Sequence, residues 1–238
     1  MALQSKVKTN NFCQKADALR SEKLYQEAAA NYLNAILIDR NNAQSYFGLG
    51  ICYKNLKQYK KAIKYFQTAA KLKDDYFESY FELGVCYQLE GIPCRAIKSF
   101  IKALQINPES PEAILQLGIS HELCEEEDMA LMIYQKLIEN TPEFPQSYEH
   151  KSQLLMKQNK FKEASIILNN LLKINPEHFE AYVGIGVCFE KLGKKTDAGR
   201  YYRKYLSKQP LSPESDFVKS RIDVLHSKTS HSHLRCLK

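Results

Sequence analysis

No stretch of this sequence approaches the roughly eighteen consecutive apolar residues that a membrane-spanning helix requires. The opening MALQSKVKTNN also lacks the apolar run of a secretory signal. A soluble, cytoplasmic chain is expected, with no membrane contact. There is no Cys-x-x-Cys pair and the seven cysteines are odd in number, so free thiols are expected in place of a disulfide framework. A glycine-rich phosphate loop is missing as well. Glycine and proline are scarce, nine and eight of 238 residues, while 44% of the residues are hydrophobic, which implies an ordered core. Lys and Arg are absent from residues 111–128, which hold Glu112, Glu122, Glu125, Glu126, Glu127 and Asp128 in a chain of net charge +7. The sign of the charge therefore varies by region, and its net value does not identify a partner.

What is present is a repeat. LGVCY at Leu83–Tyr87 returns as LGICY at Leu49–Tyr53, LGISH at Leu117–His121 and IGVCF at Ile185–Phe189. With position 1 at Thr9, Ala43, Phe77, Pro111, Pro145 and Phe179, the chain divides into six units of 34 without insertion or deletion: 9–42, 43–76, 77–110, 111–144, 145–178 and 179–212. Position 20 is alanine in all six (Ala28, Ala62, Ala96, Ala130, Ala164, Ala198), and position 24 is large (Tyr32, Phe66, Phe100, Tyr134, Leu168, Tyr202). A constant small residue opposite a column of large ones is what close helix packing requires. Apolar residues at positions 4, 7, 8 and 11 have the spacing of one helical face, and positions 20, 24 and 27 place a second helix after a break near positions 14–17. Gly91 and Gly193 stand at that break and Pro93 opens a helix. The pairs Asn107-Pro108, Thr141-Pro142, Asn175-Pro176 and Gln209-Pro210 end second helices, because a residue before proline is driven out of the helical region.

The spacing of Tyr80, Leu83, Gly84, Tyr87, Ala96, Phe100, Ala103 and Pro108 resembles the tetratricopeptide repeat, and the resemblance covers residues 9–210. It implies an all-α fold, an α-solenoid in which helix-turn-helix pairs form a right-handed superhelix. Residues 1–8 would precede the repeats. The stretch 213–226 would supply a capping helix, with Ser212 as N-cap, Pro213 in the first turn and Phe217, Val218, Ile222 and Leu225 on its apolar side. Residues 227–238 lack periodicity and are expected to be disordered. The fifth unit departs most from the family pattern, with Lys151 and Ser152 where leucine and glycine are usual, which would weaken its first helix.

Cys52, Cys86 and Cys188 share position 10, where a small buried hydrophobe packs and burial raises a thiol pKa, so a packing role is expected. Cys13, Cys94, Cys124 and Cys236 share no column. His121 replaces an aromatic and is expected in the core. His231, His233 and Cys236 are too few and too loosely placed to define a metal site. No catalytic residue, metal or cofactor is assigned. Two basic stripes, Lys57, Lys60, Lys61 and Lys64, and Arg200, Lys204 and Lys208, lie on or beside second helices with no interleaved aromatics, so a solvated face is favoured over nucleic acid.

In the family, positions 2, 5, 9 and 12 of the first helices face an inner groove. Here positions 5 and 9 read Phe47 and Ile51, Phe81 and Val85, Leu115 and Ile119, flanked by Glu78, Glu82, Glu112 and Glu122. Such a strip either packs between neighbouring helices or recognises a partner. Cys13 and Asp17 occupy those positions in the first unit, which argues against binding an acidic C-terminal tail. The resemblance thus implies a non-enzymatic scaffold or adaptor that binds a partner peptide or helix, an apolar segment with basic residues. An accessory subunit of an enzyme complex, such as a glycosyltransferase, and a nucleic-acid-associated protein are the alternatives, and self-association is open.

Overall fold

The computed structural model describes the backbone of residues 2–233 and the side chains of residues 5–225. Within these the chain is helical without strands. The first helices of the repeats are α1 (Ala2–Ser21), α3 (Ala43–Asn55), α5 (Phe77–Leu89), α7 (Pro111–Leu123), α9 (Pro145–Lys157) and α11 (Phe179–Lys191). The second helices are α2 (Tyr25–Ile38), α4 (Tyr59–Leu72), α6 (Pro93–Ile106), α8 (Glu127–Asn140), α10 (Phe161–Ile174) and α12 (Lys195–Lys208), and α13 (Ser215–His233) follows. The fold is an all-α solenoid of consecutive helix pairs, and it divides into two compact units, residues 1–133 and 134–238.

Each helix pair is closed by the same turn. The residue at position 15 has positive φ in all six repeats: Lys23 at 63°, Lys57 at 57°, Gly91 at 72°, Glu125 at 63°, Asn159 at 60° and Gly193 at 74°. Across it the next amide donates back to the carbonyl of position 11, as in Gln58 N to Tyr53 O at 2.9 Å and Ile92 N to Tyr87 O at 2.8 Å. This pairing satisfies a carbonyl that the helix end would otherwise orphan. Glycine occupies only two of the six positions, so four repeats hold a side chain in the left-handed region that L residues disfavour.

In the first unit each pair packs internally, α1 on α2, α3 on α4 and α5 on α6, and each second helix packs on the next first helix. The position-20 alanines are fully buried in every repeat. In the second and third repeats the position-24 ring lies against the position-8 glycine: a Cβ on Gly50 would stand 2.6 Å from Phe66, and one on Gly84 2.6 Å from Phe100, whereas the first repeat buries Ala16 in the same cluster as Tyr32. In the second unit α9 packs on α10, α10 on α11, α11 on α12 and α12 on α13. Gly186 there meets Tyr202 in the same way. The fifth repeat pairs a larger residue at position 8, Ser152, with a smaller one at position 24, Leu168, and both are buried. Its first helix is as long as those of the second, third, fourth and sixth repeats; Leu154 and Leu155 are buried in it, and Lys151 donates to Gln135 while burial pulls its pKa down.

Three boundaries differ from those expected. No proline or glycine interrupts residues 2–21, and α1 accordingly starts well before Thr9. At the other end Ser212 and Pro213 lie ahead of the helix. Val218 N bonds to Glu214 O at 3.0 Å to open α13, while Ser212 Oγ pairs with Tyr205 at 2.6 Å and with Ser215 at 2.9 Å. Val218 and Leu225 are buried with Tyr202 and Tyr205, Ile222 packs beside them, and Phe217 is exposed. Arg221 pairs with Glu190, whose carboxylate also accepts from Tyr202 at 3.0 Å. Nothing in 215–233 breaks a helix, and α13 continues through residues 227–233, where an aperiodic tail was expected. The side chains of His231 and His233, and all of Cys236, lie outside the described residues.

Candidate functional site

The six apolar residues singled out on the first helices share a face but are not free. Phe47, Ile51, Phe81, Val85 and Ile119 are half-buried and Leu115 is buried. The Phe47 ring lies 5.6 Å from Phe66 and 5.1 Å from Tyr76, and Phe81 meets Phe100 edge-on at 5.7 Å. Ile51 and Val85 pack on the cluster formed by Leu83, Cys86 and Phe100. Each of these side chains therefore contributes to the core on one side and to the surface on the other. α1 lies beside α3, and α5 beside α7, so the first helices form a common surface within this unit.

The acidic flank is divided. Glu82 accepts from Lys54 Nζ at 2.6 Å, an ion pair between α3 and α5. Glu122 is half-buried and engaged. Glu78 and Glu112 are exposed in the first turns of α5 and α7, where carboxylates offset the helix dipole. Glu112 accepts from Ser110 Oγ at 3.2 Å.

This surface holds a cavity of about 330 Å³ lined by Asp17, Arg20, Gln44, Phe47, Lys73 and Tyr76. Asp17 accepts from Arg20 at 2.9 Å and from the Tyr32 hydroxyl at 2.5 Å. The buried Nε of Arg20 has no partner, and Lys73 Nζ stands 5.0 Å over the Tyr76 ring. Burial pushes the Tyr76 phenol up to about 12, so it remains a neutral wall at physiological pH. Arg20, Gln44 and Lys54 were not selected from sequence, although they occupy positions 12, 2 and 12 of the same groove-facing set. Lys73 and Tyr76 come from the loop after α4 and follow no column used above.

The thiols of Cys52, Cys86 and Cys188 are fully buried, and burial pushes them up to about 11, 12 and 11. That direction is opposite to the one that activates a nucleophile. His121 is half-buried and its Nδ1 lies 2.5 Å from Glu126. No group of three or more metal-ligating side chains occurs among the described residues. No described helix is long and apolar enough to cross a membrane. The basic stripes do have interleaved aromatics, contrary to the reading above. Lys61 stands 5.2 Å over Tyr53, which stacks on Tyr65, and Lys204 stands 5.5 Å over Tyr201, which stacks on Phe189. These rings are turned toward one another across the helix pair, and the lysines cover them.

A tetratricopeptide repeat family profile matches residues 43–76, and a second tetratricopeptide repeat profile matches residues 151–213. No curated relative matches the sequence. Solved structures of similar fold include YrrB, a tetratricopeptide repeat protein with an unusual peptide-binding site (19% identity, 79% of this chain and 97% of that one, TM-score 0.60). The pilF protein of Pseudomonas aeruginosa aligns at 14% identity over 91% of this chain and 99% of its own, with a TM-score of 0.68. PilW, a type IV pilus biogenesis factor, aligns at 21% over 88% and 97%, with a TM-score of 0.69. With tetratricopeptide repeat profiles matching at residues 43–76 and 151–213, and consecutive helix pairs throughout the described residues, the chain carries tetratricopeptide repeats.

Proposed function

We propose that this protein is a non-catalytic, cytoplasmic scaffold or adaptor that holds an apolar segment of a partner protein along the first helices of residues 1–133. The reading rests on the cavity lined by Phe47, together with the half-buried Ile51, Phe81, Val85 and Ile119 on the first helices of the same unit. A half-buried ring held against a core aromatic offers a rigid apolar edge at little entropic cost on binding. Basic residues of the partner would meet Glu78 and Glu112, the two flanking carboxylates that are exposed, and would set register and on-rate more than affinity. The peptide-binding description of YrrB supports the same class of function.

The test is affinity capture followed by measured binding of the recovered partner to surface-charge and conservative apolar variants. Glu78→Lys with Glu112→Lys should slow association and change its salt dependence. Phe47→Leu, which keeps apolar packing but removes the ring edge, should weaken binding by roughly tenfold, about 1.4 kcal/mol. Melting temperature should stay near wild type for the charge reversals and fall only slightly for Phe47→Leu, whose ring also packs on Phe66. Binding that survives these changes and disappears when Lys60, Lys61 and Lys64 are neutralised would move recognition to the second helices.

A further inference from the structure

Two cysteines that share no column of the repeat are brought into contact by the fold. Cys94 stands in the first turn of α6, directly after Pro93, and Cys124 occupies the C-terminal cap of α7. Their sulfurs are 3.2 Å apart. Cys94 is exposed and Cys124 partly so, whereas Cys13, Cys52, Cys86 and Cys188 are buried. The approach is a product of the repeat: Cys94 is at position 18 of the third repeat and Cys124 at position 14 of the fourth. Gln26 and Leu56, at the same two positions of the first and second repeats, line a common cavity. Both cysteines belong to helix ends and α6 packs on α7, so the geometry does not depend on a mobile loop. Burial and the contact with Cys94 push the Cys124 thiol up to about 11, so at neutral pH it keeps its proton and can offer it to the Cys94 sulfur.

We propose that Cys94 and Cys124 form a dithiol modification site, which a small soluble disulfide of the glutathione type converts into an intramolecular disulfide joining the third and fourth repeats. The exposed Cys94 sulfur, as thiolate, attacks one sulfur of the small disulfide. That reagent's S–S bond breaks, and its other half leaves as a thiolate, giving a mixed disulfide at Cys94. Cys124 then releases its proton to solvent and attacks the Cys94 sulfur, expelling the second half. In total the protein loses two protons and two electrons, and the small disulfide is reduced to two thiols. Closing from 3.2 Å to a bond of about 2.0 Å needs a sulfur displacement of roughly 1 Å, within reach of side-chain rotation. The bond ties the start of α6 to the end of α7, the helix that carries Leu115 and Ile119.

The experiment exposes the full chain to excess oxidised glutathione, digests it without reduction and maps the linked peptides by mass spectrometry. Wild type should yield one peptide pair joining Cys94 to Cys124, lose both of those thiols and recover them with dithiothreitol. Its melting temperature should rise on oxidation. Cys124→Ser should stop at a glutathione adduct on Cys94, and Cys94→Ser should form no internal bond; neither should gain melting temperature from the oxidant. Both positions are at the surface, and circular dichroism of the reduced variants should match wild type. A wild-type chain that stops at a stable glutathione adduct on Cys94, or that links Cys94 to Cys236 or to a second chain, would overturn the assignment. The readout does not involve the proposed partner, so it stands or falls independently of the binding surface.

Discussion

Lys57, at φ 57°, shows how a single residue records a constraint of the repeat. The turn needs the left-handed region at position 15 so that the next amide can reach the carbonyl of position 11, and the side chain at that position is tolerated, not required. Gly91 and Gly193 meet the need without a Cβ, and a Cβ at either would find nothing within 4 Å, so only the backbone conformation is at stake. Lys57→Gly should therefore stabilise the protein by about 0.5–1 kcal/mol, with relief of strain exceeding the added freedom of the unfolded chain. Gly91→Ala should cost about 1 kcal/mol in the opposite direction. Urea denaturation of the two variants beside wild type checks both signs.

At the scale of the helix, the contact between position 8 of one helix and position 24 of its pair sets how closely the two approach. Gly84→Ala would place a methyl 2.6 Å from the Phe100 ring, too close to persist without a shift of ring or backbone. A loss of about 1–3 kcal/mol is expected from such overpacking. The fifth repeat indicates the compensation, because Ser152 there coexists with Leu168. Gly84→Ala combined with Phe100→Leu should thus be less damaging than the sum of the two single changes. A double-mutant cycle by thermal melting measures that coupling, and strict additivity would show that the two positions do not share one space.

For the molecule as a whole, both compact units bury ionisable groups that are stable only when neutral. Burial pushes Cys52 and Cys188 from 9.0 up to about 11 and Cys86 to about 12, and it raises Tyr202 from 10.0 to about 12. The unfolded chain releases these protons at lower pH than the folded chain. Above pH 9.0 the folded state therefore holds more protons, and stability must fall as pH rises. The stabilisation is complete below 9.0 and is lost as the pH passes toward 11 and 12. Urea midpoints measured across that window should decline steeply. In Cys86→Ala the decline should be shallower, although the variant starts about 1 kcal/mol lower because a small buried group is gone.

The repeat length, the two helices in each repeat, the buried alanine column and the packing role of Cys52, Cys86 and Cys188 were legible along the chain. All of these follow from periodicity, since a residue's face on a helix is set by its number modulo the helical turn. What happens where neighbouring helices meet was set by their packing in three dimensions. That packing paired Glu82 with Lys54, set the strip from Phe47 to Ile119 half into the core, and brought Cys94 within 3.2 Å of Cys124. Those contacts depend on interhelical distance and rotamer, and a pattern read along one strand of sequence carries neither. The continuation of α13 past residue 226 has a related cause, because a helix propagates by local hydrogen bonds until something stops it, whether or not its apolar pattern persists.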